Sequence, residues 1–288
     1  AVTAITDSEI DAKNITSFVD LSSIVPGVTV AKNEGYKTII SIRGVGNETN
    51  QNAIAAPSVA YHMDGIFIAS PFSLQTDFID VQRIEVLRGP QGTLFGQNST
   101  GGAINVISNK PTTDERFSKA DITYGDYGMK QLRSSSNFPI SDNVSTKLSL
   151  SAMTREGFTE NLATGQDLDD AHNLSFRTDW MIDVNDTTSL RIFGQYSSVD
   201  RNGAAIRGID DQSPGMRKLS QNTISKQELT SSVFAMIFET DLGYASLKIL
   251  ASSQEDDISV TRDNDRHNFG DPVLSIPGLG AGATYQQA

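Results

Sequence analysis

Hydrophobic and polar positions follow two regimes along this chain, and the change falls near Pro111. Before it, apolar residues come in short clusters of helical or strand period. Asp7 or Ser8 is placed to cap a short helix at Glu9 to Lys13, and Asn14 to Thr16 to cap a second, in which Phe18, Leu21 and Ile24 or Val25 form an apolar stripe. Pro26-Gly27 ends that helix. Val28 to Ala31 and Thr38 to Arg43 read as strands around the polar turn Lys32 to Tyr36, whereas Gly44 to Pro57 has neither period and reads as an exposed excursion. Val59 to Met63, the tight Asp64-Gly65 turn and Ile66 to Ala69 form a hairpin. Arg83 to Pro111 then supplies an apolar strand over Ile84, Val86 and Leu87, a Gly89-Pro90 turn, one helical turn from Gln91 to Phe95, and a buried strand from Ala103 to Ile107. The sum predicts an α+β domain, a small mixed sheet with short helices.

After Pro111 the period is two. Ala120, Ile122 and Tyr124 oppose Lys119, Asp121 and Thr123; Leu148, Leu150 and Ala152 oppose Lys147, Ser149 and Ser151. Leu174 to Ile182, Leu190 to Tyr196 and Leu247 to Ala251 continue the pattern. Connections alternate in length: Ser141 to Asn143, Asp183 to Asp186 and Asp241 to Gly243 are short, while Asn161 to His172, Val199 to Thr223 and Thr261 onward are long and polar. Alternating strands joined by short turns at one end and long loops at the other predict an antiparallel transmembrane β-barrel, apolar outside and polar inside. The strand near Phe117 to Tyr124 runs outward in that scheme. About seven strands are expected, too few to close, so the barrel is incomplete.

Composition narrows the reading. The chain has 288 residues, 38% of them hydrophobic, no cysteine and a formal charge of -12. The acidic balance, with no basic cluster, excludes a nucleic-acid partner, and the lack of cysteine excludes disulfides and thiolate metal sites. No stretch approaches the roughly 20 apolar residues of a spanning helix, which leaves spanning strands as the route through a membrane. The glycine-rich bend after Arg88 lacks the Lys-Ser/Thr of a phosphate loop, since Gln97 and Asn98 follow Gly96. No nucleophile-and-base arrangement stands out, and His62, His172 and His267 have no metal-ligand spacing, so neither an enzyme, a metal nor a cofactor is expected. The acidic loops Asp167 to His172 and Asp263 to Asp271 read as solvated.

The stretch IEVLRGPQGTLFGQNSTGGAINVIS resembles the plug signature of the TonB-dependent outer-membrane receptors. DLSSIVPGVTV, SIRG at Ser41 to Gly44 and YHMDGIFI at Tyr61 to Ile68 precede it in the family's order. The resemblance covers roughly residues 1 to 115 densely and implies a plug domain over residues 1–113, followed by the first part of a barrel over 114–288. No signal peptide opens the chain, so the leader and any upstream periplasmic segment are expected to lie outside it, as is roughly two thirds of the family's wall of about 22 strands.

The resemblance also implies function: active import of a scarce ligand, most commonly a ferric siderophore, with oligosaccharide or cobalamin as alternatives. The implied partners are TonB with ExbB and ExbD, outer-membrane lipid and the small-molecule ligand. A barrel whose plug never moves is the reading from a different class. Asn47, Glu48, Thr49 and Asn50, together with Phe72, Ser73 and Leu74, correspond to ligand-touching loops at the plug apex. Arg43 and Arg88, at strand ends, correspond to a latch with glutamates on the inner wall beyond residue 288, and Glu85 is a local candidate partner for them.

Overall fold

The computed structural model describes residues 2–33, 35, 37–46, 57–70, 72–209, 211–263, 266 and 283–287. Its first element, β1 (Val2–Thr6), is an edge strand that the hydrophobic pattern does not announce, because only Ile5 is fully buried. Helix α1 (Asp7–Ala12) follows directly. Thr6, rather than Asp7 or Ser8, is its N-cap: the Thr6 amide donates to Glu9 Oε2 at 3.1 Å in a capping box. The second predicted helix is a 3-10 turn (Phe18–Asp20) running into α2 (Leu21–Ile24), and its cap is Ser17. Asp20 Oδ2 accepts the amides of Thr16 and Ser17, each at 2.8 Å. Phe18, Leu21 and Val25 are buried, as the stripe requires.

Strands β2 (Val28–Asn33) and β3 (Lys37–Ile42) make a separate antiparallel ribbon. β4 (Val59–Met63), β5 (Ile66–Phe67), β6 (Val81–Arg88) and β7 (Gly102–Ser108) join β1 in a five-stranded sheet of order β1-β6-β7-β4-β5, with β4 parallel to β7. A 3-10 turn (Ser73–Gln75) and α3 (Gly92–Phe95) lie in its connections. The mixed α+β domain has a continuous core that includes Ile15, Leu21, Ile42, Val59, Ile84 and Ile104.

The second half is an eight-stranded antiparallel sheet: β8 (Phe117–Tyr124), β9 (Lys130–Ser141), β10 (Val144–Arg155), β13 (Ala171–Asn185), β14 (Thr188–Arg201), β16 (Lys226–Asp241), β17 (Ser246–Arg262) and β18 (Ala283–Gln287). β18 pairs with β17 and adds a strand where an open loop is expected from sequence. β8 and β18 are the two edges, so the wall does not close within the chain. The burial pattern is inverted relative to a soluble sheet: Ser145, Lys147, Ser149 and Ser151 are buried, while Ile122, Phe176 and Phe234 on the other face are exposed.

Two of the long loops are more ordered than their polarity suggests. β11 (Thr159–Asn161), β12 (Gln166–Leu168) and β15 (Lys218–Leu219) form a small sheet bridging them. Leu168 and Leu219 are buried within it, and Asp170 is buried beside it, so the segment Asp167 to His172 is only partly a solvated loop.

Candidate functional site at the plug–wall interface

The Asp64-Gly65 turn is where the two halves meet most tightly. Met63 pairs with Ile66, leaving a two-residue connection in which Asp64 has φ 52° and Gly65 φ 88°. Positive φ at both central residues marks a type I′ turn, which matches the twist of a hairpin and favours the Asp-Gly pair. The turn projects the hairpin edge of the plug sheet onto β13 and β14.

Asp64 is fully buried there. Its Oδ1 accepts the Ser108 amide at 3.0 Å and its Oδ2 the Ser108 hydroxyl at 2.8 Å. From the wall, Arg177 Nη2 donates to Oδ2 at 2.7 Å and Arg191 Nη1 to Oδ1 at 3.3 Å. Asp179 binds the same two guanidiniums from the wall side, at 3.0 Å to Arg177 Nη2 and 2.6 Å to Arg191 Nη2. Arg191 Nη2 also donates to Ser108 Oγ at 2.7 Å, and the Arg177 guanidinium lies 4.0 Å above the Phe193 ring. No side chain of these four ion pairs is more than 4% exposed. Two cations balance two anions, and each has several hydrogen bonds, which is the condition for charges to persist out of water.

Electrostatics differ from one carboxylate to the next. Burial alone would raise the Asp64 carboxyl, but Arg177, Arg191 and the Ser108 donors outweigh it and hold the group below the ordinary range. Burial instead dominates at Asp77, whose carboxyl is raised; Asn173 Nδ2 donates to Oδ1 at 3.0 Å, and Oδ2 has no hydrogen-bond partner among the described residues. Lys147 Nζ reaches Asp80 Oδ2 at 2.7 Å in a third buried contact. Gln227 Nε2 donates to Gln75 Oε1 at 2.9 Å.

Apolar contacts flank these groups. Ile66 packs among Phe193, Val233, Ala235 and Ile237. Phe72 packs among Val199, Leu229, Ile258 and Val260. On the β8–β10 side the plug stands off, leaving a cavity of about 280 Å³ lined by Asp7, Asp11, Lys119, Asp121, Arg133 and Lys147 among others.

The residues expected from sequence are distributed as follows. Asn47, Glu48, Thr49 and Asn50 lie outside the described residues, as do His267 and most of the Asp263 to Asp271 loop. Phe72, Ser73 and Leu74 are buried: Phe72 against the wall, Leu74 in the plug core, and Ser73 Oγ facing Gln254 Nε2 at 3.5 Å. None of the three presents an open surface to a ligand in this arrangement. Arg43 is exposed in a turn at φ 55° and makes no ion pair among the described residues. Arg88 is half-buried; its Nη2 donates to Thr3 Oγ1 at 2.8 Å, and its buried Nε has no hydrogen-bond partner among the described residues.

Glu85 is not the partner of either arginine. It binds Arg83 Nε at 2.8 Å and Asn105 Nδ2 at 3.1 Å. The reason is strand parity: residues 83 and 85 share one face of β6, while Arg88 belongs with Ile84 and Val86 on the other. No group of acidic or histidine side chains suited to a metal occurs among the described residues.

The sequence marks Asp64 as a turn former and does not single out Arg177, Asp179 or Arg191. A signal was available. Arg177 and Asp179 sit two apart on the lumen face of one strand, and opposite charges at i and i+2 beside a neighbouring strand's arginine suggest an ion network.

Comparison with known proteins agrees with this architecture. Residues 1–103 match the family model of the TonB-dependent receptor plug domain. The pesticin receptor of Yersinia enterocolitica is 31% identical over 170 residues, 57% of this chain and 24% of that receptor, and the pesticin receptor of Yersinia pestis matches equally. The matched stretch thus spans about a quarter of the length of these curated relatives. Among solved structures, the ferric yersiniabactin uptake receptor FyuA from Yersinia pestis superposes with a TM-score of 0.77 at 21% identity, over 91% of this chain and 41% of that one. The siderophore receptor PiuA from Acinetobacter baumannii gives 0.70 at 17% identity, over 92% and 38% respectively. The ferric-catecholate import receptor Fiu from Escherichia coli K12 gives 0.68 at 18%, over 91% and 39%. With a plug domain seated against an unclosed antiparallel wall whose polar face turns inward, residues 1–103 are a TonB-dependent receptor plug domain and the chain as a whole shares the fold of the outer-membrane receptors it matches.

Proposed function

We propose that the protein to which this chain belongs imports a ferric siderophore across the outer membrane, drawing on energy transmitted by TonB with ExbB and ExbD. The observation that carries this reading is the make-up of the plug–wall contact. Ion pairs at Asp64 and Asp80 and hydrogen bonds donated by the Asn173 and Gln227 side-chain amides to Asp77 and Gln75 hold the plug in place, and water can take over each of them when the plug shifts. A plug sealed solely by apolar packing would have to expose that whole surface to the lumen on moving. The names of the related solved receptors, which concern ferric yersiniabactin, ferric catecholates and siderophores, support an iron chelate as cargo.

In this reading Asn47, Glu48, Thr49 and Asn50 meet the chelate. Arg43 and Arg88 latch the plug to carboxylates of the remaining wall, for which the unpartnered Arg88 Nε is a donor in waiting. Binding to the resting plug and energised withdrawal are separate steps, so a receptor can bind cargo without transporting it.

The test is uptake of radioactive iron by cells expressing the full-length receptor. Iron is presented as ferric yersiniabactin and, separately, as a ferric tris-catecholate. Accumulation of one of them that collapses on adding a protonophore, or on deleting the TonB gene, is the expected result. Binding without accumulation would favour a plug that never moves and would overturn the import reading.

A further inference from the structure

The ion network at the Asp64 turn has an uneven ownership of charge. Arg177, Arg191 and Asp179 belong to the wall, and Asp64, with the Ser108 hydroxyl, belongs to the plug. While the plug is seated the sum is zero. If the plug withdraws, two guanidiniums remain beside one carboxylate, and the wall carries a net positive charge at that point. Glu239, the other wall carboxylate under the influence of Arg191, is already bound by Lys248 at 2.8 Å and lies near Lys110.

The vacated site is a built one. Arg177 Nη2 remains tied to Asp179 and its ring face to Phe193, and Arg177 Nη1 remains 3.3 Å from Gln195 Oε1. Arg191 remains tied to Asp179 through Nε at 3.0 Å and Nη2 at 2.6 Å. The guanidiniums are therefore pre-aimed without help from the plug. Asp64 itself demonstrates which ligand they accept: a carboxylate, one oxygen at 2.7 Å from Arg177 and the other at 3.3 Å from Arg191.

We propose that Arg177 and Arg191, oriented by Asp179, form a carboxylate-binding site on the inner barrel wall that the plug's Asp64 occupies at rest and that plug withdrawal opens to a carboxylate-bearing cargo. The second half rests on the import reading above; the wall site itself does not. Asp64 acts as a tethered competitor: it keeps the site closed to anions while the plug is in place. Its release gives a cargo carboxylate a stop on the lumen side at the moment a path exists.

The experiment removes the tethered carboxylate from the full-length receptor in detergent. Asp64→Gly is the variant of choice, since a residue at φ 52° accepts glycine without strain and the deletion leaves room for a small anion. The midpoint of plug unfolding, followed by protease access, should fall in this variant and be restored by sodium formate in a saturable manner, but not by sodium chloride at equal ionic strength. Formate should not raise the midpoint of wild type, in which Asp64 holds the site, nor that of Asp64→Asn, in which an amide fills the space. The double variant Asp64→Gly with Arg191→Ala should lose the formate effect. Formate acting equally on wild type, or failing to act on Asp64→Gly, overturns the wall site. If Asp64→Gly does not assemble, formate in the refolding buffer should raise its yield; no rise overturns the site. Formate rescue with no protonophore-sensitive iron uptake would sink the import reading and leave the site standing. Iron uptake without rescue would do the reverse.

Discussion

Asp64 and Asp77 face the same wall and have opposite electrostatic settings, which gives the plug a pH signature. The folded value of Asp64 lies below its ordinary value of 3.8. Its stabilising contribution is complete above that ordinary value and is lost only as pH falls through the lower folded one. Asp77 is raised instead, so its contribution is complete below the ordinary value and is lost as pH rises through the folded one. Acidifying the full-length receptor from about pH 7 to about pH 5 should therefore leave the Ser108 amide fully protected from hydrogen exchange, because its acceptor stays ionised. Protection of the Phe78 amide, next to Asp77, should hold or rise. Loss of Ser108 protection first would contradict the assignment. The charge itself is tested by Asp64→Asn, which leaves two buried guanidiniums with one carboxylate; a loss of about 3–5 kcal/mol in the resistance of the plug to denaturant is expected. At this scale sequence reading was weakest. An aspartate before glycine is a turn signal whatever its carboxylate touches, and nothing local reveals arginines more than a hundred residues away.

Strands and turns were far more legible, and their exceptions have local causes. The β6–β7 pair depends on Gly102, which has φ 148° and whose added Cβ would stand 2.2 Å from the Leu87 carbonyl oxygen. Gly102→Ala should separate this strand pair and raise protease cleavage of the plug while leaving the wall folded, an outcome read from the size of the protected fragment. In the long loops, Asn161 is fully buried and bonds both backbone groups of Gln221, each at 3.0 Å. Asn161→Ala strands those two groups and should cost about 1–3 kcal/mol, seen as faster exchange at the β11 and β15 amides. The loop sheet escaped sequence reading because its strands are two or three residues long, too short for a period to show.

The inverted wall is a property of the whole molecule. Phe234 is 52% exposed and sits level with Gly194 and Thr178 near the middle of the wall, on the face opposite the buried lumen side chains. Phe234→Arg places a charge at mid-membrane depth and should cost about 2–4 kcal/mol, with less receptor recovered assembled in outer-membrane fractions. Phe234→Leu keeps that face apolar and should assemble nearly as well as the unaltered receptor by comparison. Equal losses from the two substitutions would show that the outward face does not meet lipid.

By itself the sequence determined most of what depends on residues near one another in the chain, the helix caps and the two- or three-residue loop strands excepted. The stripe of Phe18, Leu21 and Val25, the hairpin at Asp64-Gly65, the alternation that turns Lys147 inward and Leu148 outward, and the ordering of the plug motifs all rest on local geometry and period. Only the tertiary structure decided which charges meet. Parity put Glu85 with Arg83 rather than Arg88. Barrel register set Arg177 opposite Gln195 and Asp179 opposite Phe193, which brought Asp179 within reach of Arg191 two positions along. The packing of the plug against that register then delivered Asp64. A buried ion network is fixed by distances across elements of about 3 Å, and no periodicity within a single strand carries that information.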